Sequence, residues 1–91
     1  MSFKKVKNKY KIVKITDHDG VEKTDEATTS RIGRVMIINP DELVIGRRAT
    51  IECAFPGYWK SIVTTAVLSY TEYDDTFILK TENSYYHFTR V

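Results

Sequence analysis

Residues 47–55 read Arg47-Arg48-Ala49-Thr50-Ile51-Glu52-Cys53-Ala54-Phe55. Every second side chain from Ala49 onward is apolar: Ala49, Ile51, Cys53 and Phe55 fall on one side, Arg48, Thr50, Glu52 and Ala54 on the other. A period of two is the repeat of a β-strand with one face on a core and one in water. The reading predicts a strand here, with Cys53 inside as a small hydrophobe.

Similar signals flank it. Residues 9–16 are β-branched and lysine-rich, but their alternation does not settle which side faces inward. Residues 32–38 are apolar on both sides, which suits a central strand. Residues 61–70, 75–82 and 85–90 complete the set, with Phe77 and Leu79 expected inside and Lys80 outside. Between the strands lie turn residues. Asp17-His18-Asp19-Gly20 reads as a turn, residues 20–30 as a polar loop, and Asn39-Pro40-Asp41-Glu42-Leu43 as a turn or short 3₁₀ piece. Phe55-Pro56-Gly57-Tyr58-Trp59 is a tight aromatic turn, Tyr73-Asp74-Asp75 a hairpin tip, and Asn83-Ser84 a turn in which Asn tolerates positive φ.

Short strands joined by tight turns predict an all-β domain, a small SH3-like barrel or roll of five to six antiparallel strands. An OB-fold would place a helix after its third strand, and the Pro-Gly link near residues 56–60 is too short for one. The chain has 91 residues, enough for one domain and one core. Residues 1–8 read as a basic tail and 9–91 as the barrel. Hydrophobic residues at 42% and charged residues at 29% exclude a disordered chain. No apolar run approaches the roughly 20 residues of a membrane helix, and no secretory leader follows Met1. A cytoplasmic protein without membrane association is expected.

The net charge of +2 hides an asymmetry. Residues 1–14 carry six lysines and no acid, while the remainder of the chain is net acidic at −4. Lys4, Lys5, Lys7 and Lys9, interleaved with Phe3 and Tyr10, suit a phosphate backbone. Arg47 and Arg48, with Arg31 and Arg34, would add to such a surface. The same lysines would equally guard an edge strand against aggregation.

Catalytic chemistry finds little purchase. Cys53 with His87 is the one conceivable thiol–imidazole pair, and the alternation sends Cys53 to the core. Asp41-Glu42 and Asp74-Asp75 sit in turns, where acids serve turn geometry and solubility. Residues 17–22 lack the acidic framework of a calcium loop, and one cysteine with two distant histidines makes no zinc site. No catalytic residue, metal or cofactor is expected. Aromatics, by contrast, are dense after residue 54. Phe55 and Phe77 are expected in the core. Tyr58 and Trp59, borne on a turn, suit either a cap on one end of the barrel or the anchors of a protein interface. Adjacent Tyr85 and Tyr86 must point to opposite faces, so one of them joins that candidate interface.

Thr64-Thr65-Ala66-Val67, Asp75-Thr76-Phe77 and Thr81-Glu82-Asn83-Ser84-Tyr85-Tyr86 carry a resemblance. This pattern resembles a hairpin of small β-proteins from Gram-positive bacteria and their phages, over about 25 residues. No activity is attached to that group. The resemblance implies a bacterial cytosolic or mobile-element origin. Thr64, Thr65 and Thr81 are expected to make cross-strand pairs that fix register. The leading expectation is a non-enzymatic interaction module that binds a protein partner or itself. The alternative is a nucleic-acid-binding module using the lysine-rich start.

Overall fold

A computed structural model describes residues 8–55 and 60–91. Among them six strands form one closed antiparallel barrel. These are β1 (Asn8–Thr16), β2 (Val35–Ile38), β3 (Arg48–Cys53), β4 (Ile62–Tyr73), β5 (Thr76–Thr81) and β6 (Tyr85–Arg90). Each strand pairs with the next in sequence, and β6 returns to β1. A one-turn helix, α1 (Glu26–Thr29), interrupts the long polar loop; the Asp25 carboxylate accepts the Thr28 N–H and so caps it. Pro40–Glu42 forms the expected 3₁₀ turn, capped by Asn39.

The alternating strand behaves as read: Ala49, Ile51 and Cys53 are buried and their neighbours exposed. Phe77 and Leu79 are fully buried, and Lys80 lies on the opposite side. The centre of the core is aromatic. Ring centroids of Tyr10 and Phe77 are 5.5 Å apart, and those of Phe77 and Phe88 6.1 Å, tilted or edge-on as ring quadrupoles prefer. Phe55 corrects the reading. The strand ends at Cys53, the chain turns at Ala54, and the Phe55 ring is 47% exposed.

Three register shifts curl the sheet. Ile12 and Lys14 of β1 lie opposite Phe88 and His87, leaving Val13 as an extra residue. That bulge explains why residues 9–16 resist a simple face assignment: Tyr10 and Ile12 point inward on even positions, Ile15 on an odd one. In β4, Thr64 and Thr65 together oppose Ala49, and Leu68 is a second extra residue against β5. The Thr64 Oγ1 accepts the Ala49 N–H at 3.1 Å and donates to the Thr65 carbonyl at 2.7 Å. The threonine pair therefore satisfies a bulge where paired threonines across strands were expected. Thr81 bonds within its own turn, its N–H to the Ser84 carbonyl at 2.8 Å. Asn83 needs no positive φ there; Asp74, at φ 50, carries that conformation in the β4–β5 tip.

Strand lengths are unequal. β3 has 6 residues and β4 has 12. The last β3-side bonds to β4 join Gly46 and Arg47 to Val67, at 2.7 and 2.9 Å. Gly46 reaches this position at φ 91. Beyond it β4 continues with β5 alone, and the molecule is 43 Å long against 28 and 23 Å across. Residues of β2 also fall short of the expected span: Ile32 lies in a turn, 39% exposed, before Val35 begins the strand.

Phe77→Ala is expected to cost about 3–5 kcal/mol by opening a cavity at the ring cluster. Tyr73→Ala, on the exposed β4 end, should stay within about 0.5 kcal/mol. Urea unfolding of both variants measures the difference.

Candidate functional site

The basic and aromatic residues singled out in the sequence divide among three places. Lys4, Lys5, Lys7, Tyr58 and Trp59 lie outside the described residues. Lys9 stands on the outer face of β1, two strands from Arg48 of β3, so the lysine and arginine candidates do not share one face. Arg47 and Arg48 are both exposed. Arg31 is drawn inward to donate to the Tyr86 hydroxyl at 2.7 Å, and Arg34 donates to the Lys60 carbonyl at 3.4 Å.

Two further corrections concern β1 and its tyrosine. β1 pairs with both β2 and β6, so its lysines do not guard an edge. Tyr10 is fully buried and donates its hydroxyl to Glu72 at 3.0 Å, so it presents no ring to a nucleic acid base. The Arg90 guanidinium lies 5.0 Å over the same ring and 3.7 Å from the Glu72 carboxylate. Burial first, and then the Glu72 hydrogen bond and charge, raise the Tyr10 phenol above its ordinary 10.0.

The adjacent tyrosines resolve as alternation requires. Tyr86 is buried, 5% exposed, which removes it from any interface; Tyr85 is the outward member. Around Tyr85 the fold assembles a group that linear spacing hid. The Lys80 ammonium sits 5.5 Å from its ring centre, His18 meets it edge-on at 5.4 Å, and His87 lies at 6.3 Å. His18 is held by donating Nε2–H to the Thr81 carbonyl at 2.8 Å. Lys14 is the register neighbour of His87.

These residues belong to one broad outer surface running across β1, β6, β5 and β4. Its outward positions are Lys9, Lys11 and Lys14, then Tyr85, His87 and Thr89, then Thr76, Ile78 and Lys80, then Ser69, Thr71 and Tyr73. None of the twelve is a carboxylate. Lys9 and Lys11, two residues apart, are spaced about 6.7 Å by strand geometry.

The second candidate is an edge. Among the described residues, 68–73 of β4 have β5 on one side and no backbone partner on the other. Six residues at about 3.3 Å each give roughly 20 Å of unpaired strand. Tyr70, Glu72 and the bulged Leu68 alternate there with Ser69, Thr71 and Tyr73. Tyr70 stacks on Phe77 at 5.6 Å, which stiffens the edge from its inner side. Val44 and Ile45, 51% and 57% exposed, lie in the turn just before Gly46, whose N–H bonds to the Val67 carbonyl next to Leu68. Sequence reasoning missed this edge, because nothing in residues 61–73 reveals that the preceding strand is half as long.

Cys53 and His87 are not a pair: Cys53 faces the core and engages Phe55 through Sγ, while His87 is on the outer face of β6. Among the described residues no three His, Cys, Asp or Glu side chains gather at metal-binding reach, and no helix is long and apolar enough to cross a membrane.

Burial, and secondarily the Lys14 ammonium, lower the His87 imidazole below its ordinary 6.5. The folded state then takes up this proton less readily than the unfolded chain. The stability tied to neutral His87 is complete above 6.5 and is lost as pH falls through the depressed folded value. An NMR titration should give a His87 midpoint below 6.5 that Lys14→Ala moves upward. An unchanged midpoint in Lys14→Ala would refute the charge contribution. No protein family, curated protein or solved structure matches the chain.

Proposed function

We propose that the chain is a non-enzymatic interaction module, a small SH3-like barrel that binds a protein partner or itself through strand addition at β4. The observation that carries this reading is the edge at residues 68–73, which has no backbone partner among the described residues on its β3 side. A row of free N–H and C=O groups on a pre-formed strand gives affinity to an incoming extended segment, and the alternate side chains give selectivity. The edge carries a bulge at Leu68 and an inward charge at Glu72, but not the lysine or proline that commonly guards an edge. Residues 68–73 contain no lysine and no proline, and their one charge is Glu72. The exposed apolar side chains of Val44, Ile45 and Leu68 cluster by sequence at the start of this edge, next to the Gly46–Val67 bond. A bacterial cytoplasmic setting goes with this proposal, supported by the lone Cys53 and by the hairpin resemblance.

A second reading, nucleic-acid binding, is favoured by the carboxylate-free outer face, which carries Lys9, Lys11 and Lys14 along β1 and Lys80 beside Tyr85. Lysines spaced along a strand beside an exposed aromatic suit a single-stranded phosphate backbone and its bases.

One experiment separates the two. The tagged chain is used to capture partners from an extract of the cells that express it, alongside two variants. Ser69→Lys with Thr71→Lys blocks the edge, and Lys9→Gln with Lys11→Gln and Lys14→Gln discharges the face. The proposal expects a captured protein that is lost with the edge variant and kept with the face variant, insensitive to nuclease. Capture that is kept by the edge variant but lost with the face variant and with nuclease would overturn it in favour of nucleic acid. In that case oligonucleotide affinity should fall steeply with salt, by a log–log slope of about −0.7 per phosphate contacted.

A further inference from the structure

We infer that the occupant of the β4 edge is the same edge of a second copy, paired antiparallel about a two-fold axis at Thr71. This rests on the strand-addition reading above and names its partner.

Register decides the match. Residues opposite each other in an antiparallel pair share a face, so a symmetric pairing must centre on a residue. Centred on Glu72, the two carboxylates would oppose each other, which is repulsive. Centred on Tyr70, each Glu72 would meet the apolar Leu68 bulge of the other copy. Centred on Thr71, each Tyr70 faces the Glu72 of the other copy on the inner side, a phenol donor against a carboxylate acceptor. Ser69 then faces Tyr73, and Thr71 faces itself, on the outer side. Within residues 69–73 no like charges meet and no carboxylate is set against an aliphatic group, and Leu68 falls opposite Asp74 of the other copy, in its hairpin turn beyond the strand.

The remaining features agree. The pairing joins the same edge of both copies about a two-fold axis, so it is isologous, closes as a dimer and does not propagate. A six-residue strand alone is small beside the roughly 800 Å² per partner of a stable interface. Val44, Ile45 and Leu68, all exposed beside the edge, supply additional apolar area. Lysine guards, the usual device against this pairing, are carried on the enclosed β1 and are missing from the open β4.

Sedimentation equilibrium of the purified chain tests the inference. The wild type should dimerise in a concentration-dependent manner. Thr71→Lys sets two ammonium groups directly opposite each other and should weaken the dimer about tenfold or more, with the thermal midpoint of the dilute monomer unchanged. Thr71→Cys should form a disulfide-linked dimer under mild oxidation, because opposed Cα atoms at about 4.5–5.5 Å lie within disulfide reach. Thr89→Cys, on a strand paired on both sides, should not. A wild type that stays monomeric at roughly 1 mM overturns self-pairing. If that monomer still captures a protein through residues 68–73, the strand-addition reading stands without it. A dimer untouched by Thr71→Lys and not linked through Thr71→Cys overturns the edge as its interface.

Discussion

The return of β6 to β1 is the constraint on which the molecule depends. Residues Tyr10 to Thr16 pair with Arg90 back to Tyr85, and this seam turns a six-strand meander into a closed wall. Closure needs curvature, which the bulges at Val13, at Thr64-Thr65 and at Leu68 supply. It also places Tyr10 between Phe77 and Phe88 and brings its hydroxyl to Glu72 of β4. Three strands, β1, β4 and β6, are tied together at one end of the barrel through Tyr10, Glu72 and Arg90.

Closure removes edges only where strands are of equal reach. Among the described residues, the twelve-residue β4 pairs with the six-residue β3 over its first half and with β5 over its second, and the β3 side of that second half is bare. The exposed edge is thus a consequence of unequal strand lengths within the barrel wall. Its inner side is anchored by Tyr70 stacked on Phe77 and by the Glu72 contacts with Tyr10 and Arg90. The same closure converts the lysine-rich strand from a suspected edge into a wall whose lysines face outward in a row.

Much of the fold was legible along the chain. Ala49, Ile51 and Cys53 declared their face by simple alternation, and Phe77 and Leu79 did the same. The reading failed where a bulge or a strand end shifted the phase. Val13 breaks the alternation of β1, and the end of β3 at Cys53 leaves Phe55 outside. The candidate site was far less legible. His18 and His87 lie far apart in sequence, yet both reach Tyr85, because β1 and β6 are neighbours only through closure. Tyr85 and Tyr86 were recognisable as an opposed pair, but which one faced outward awaited the register of β6 against β5.

By itself the sequence determined the local elements: period-two strands, turns at Asp74-Asp75 and Asn39-Pro40, and a basic first strand. These follow from side-chain alternation and backbone preference, which act over a few residues. Only the tertiary structure decided that β1 is enclosed, that β4 outruns its neighbour, and that lysine, histidine and tyrosine share an outer face. Those outcomes depend on which strands meet and in what register, a long-range match that no single stretch of chain encodes.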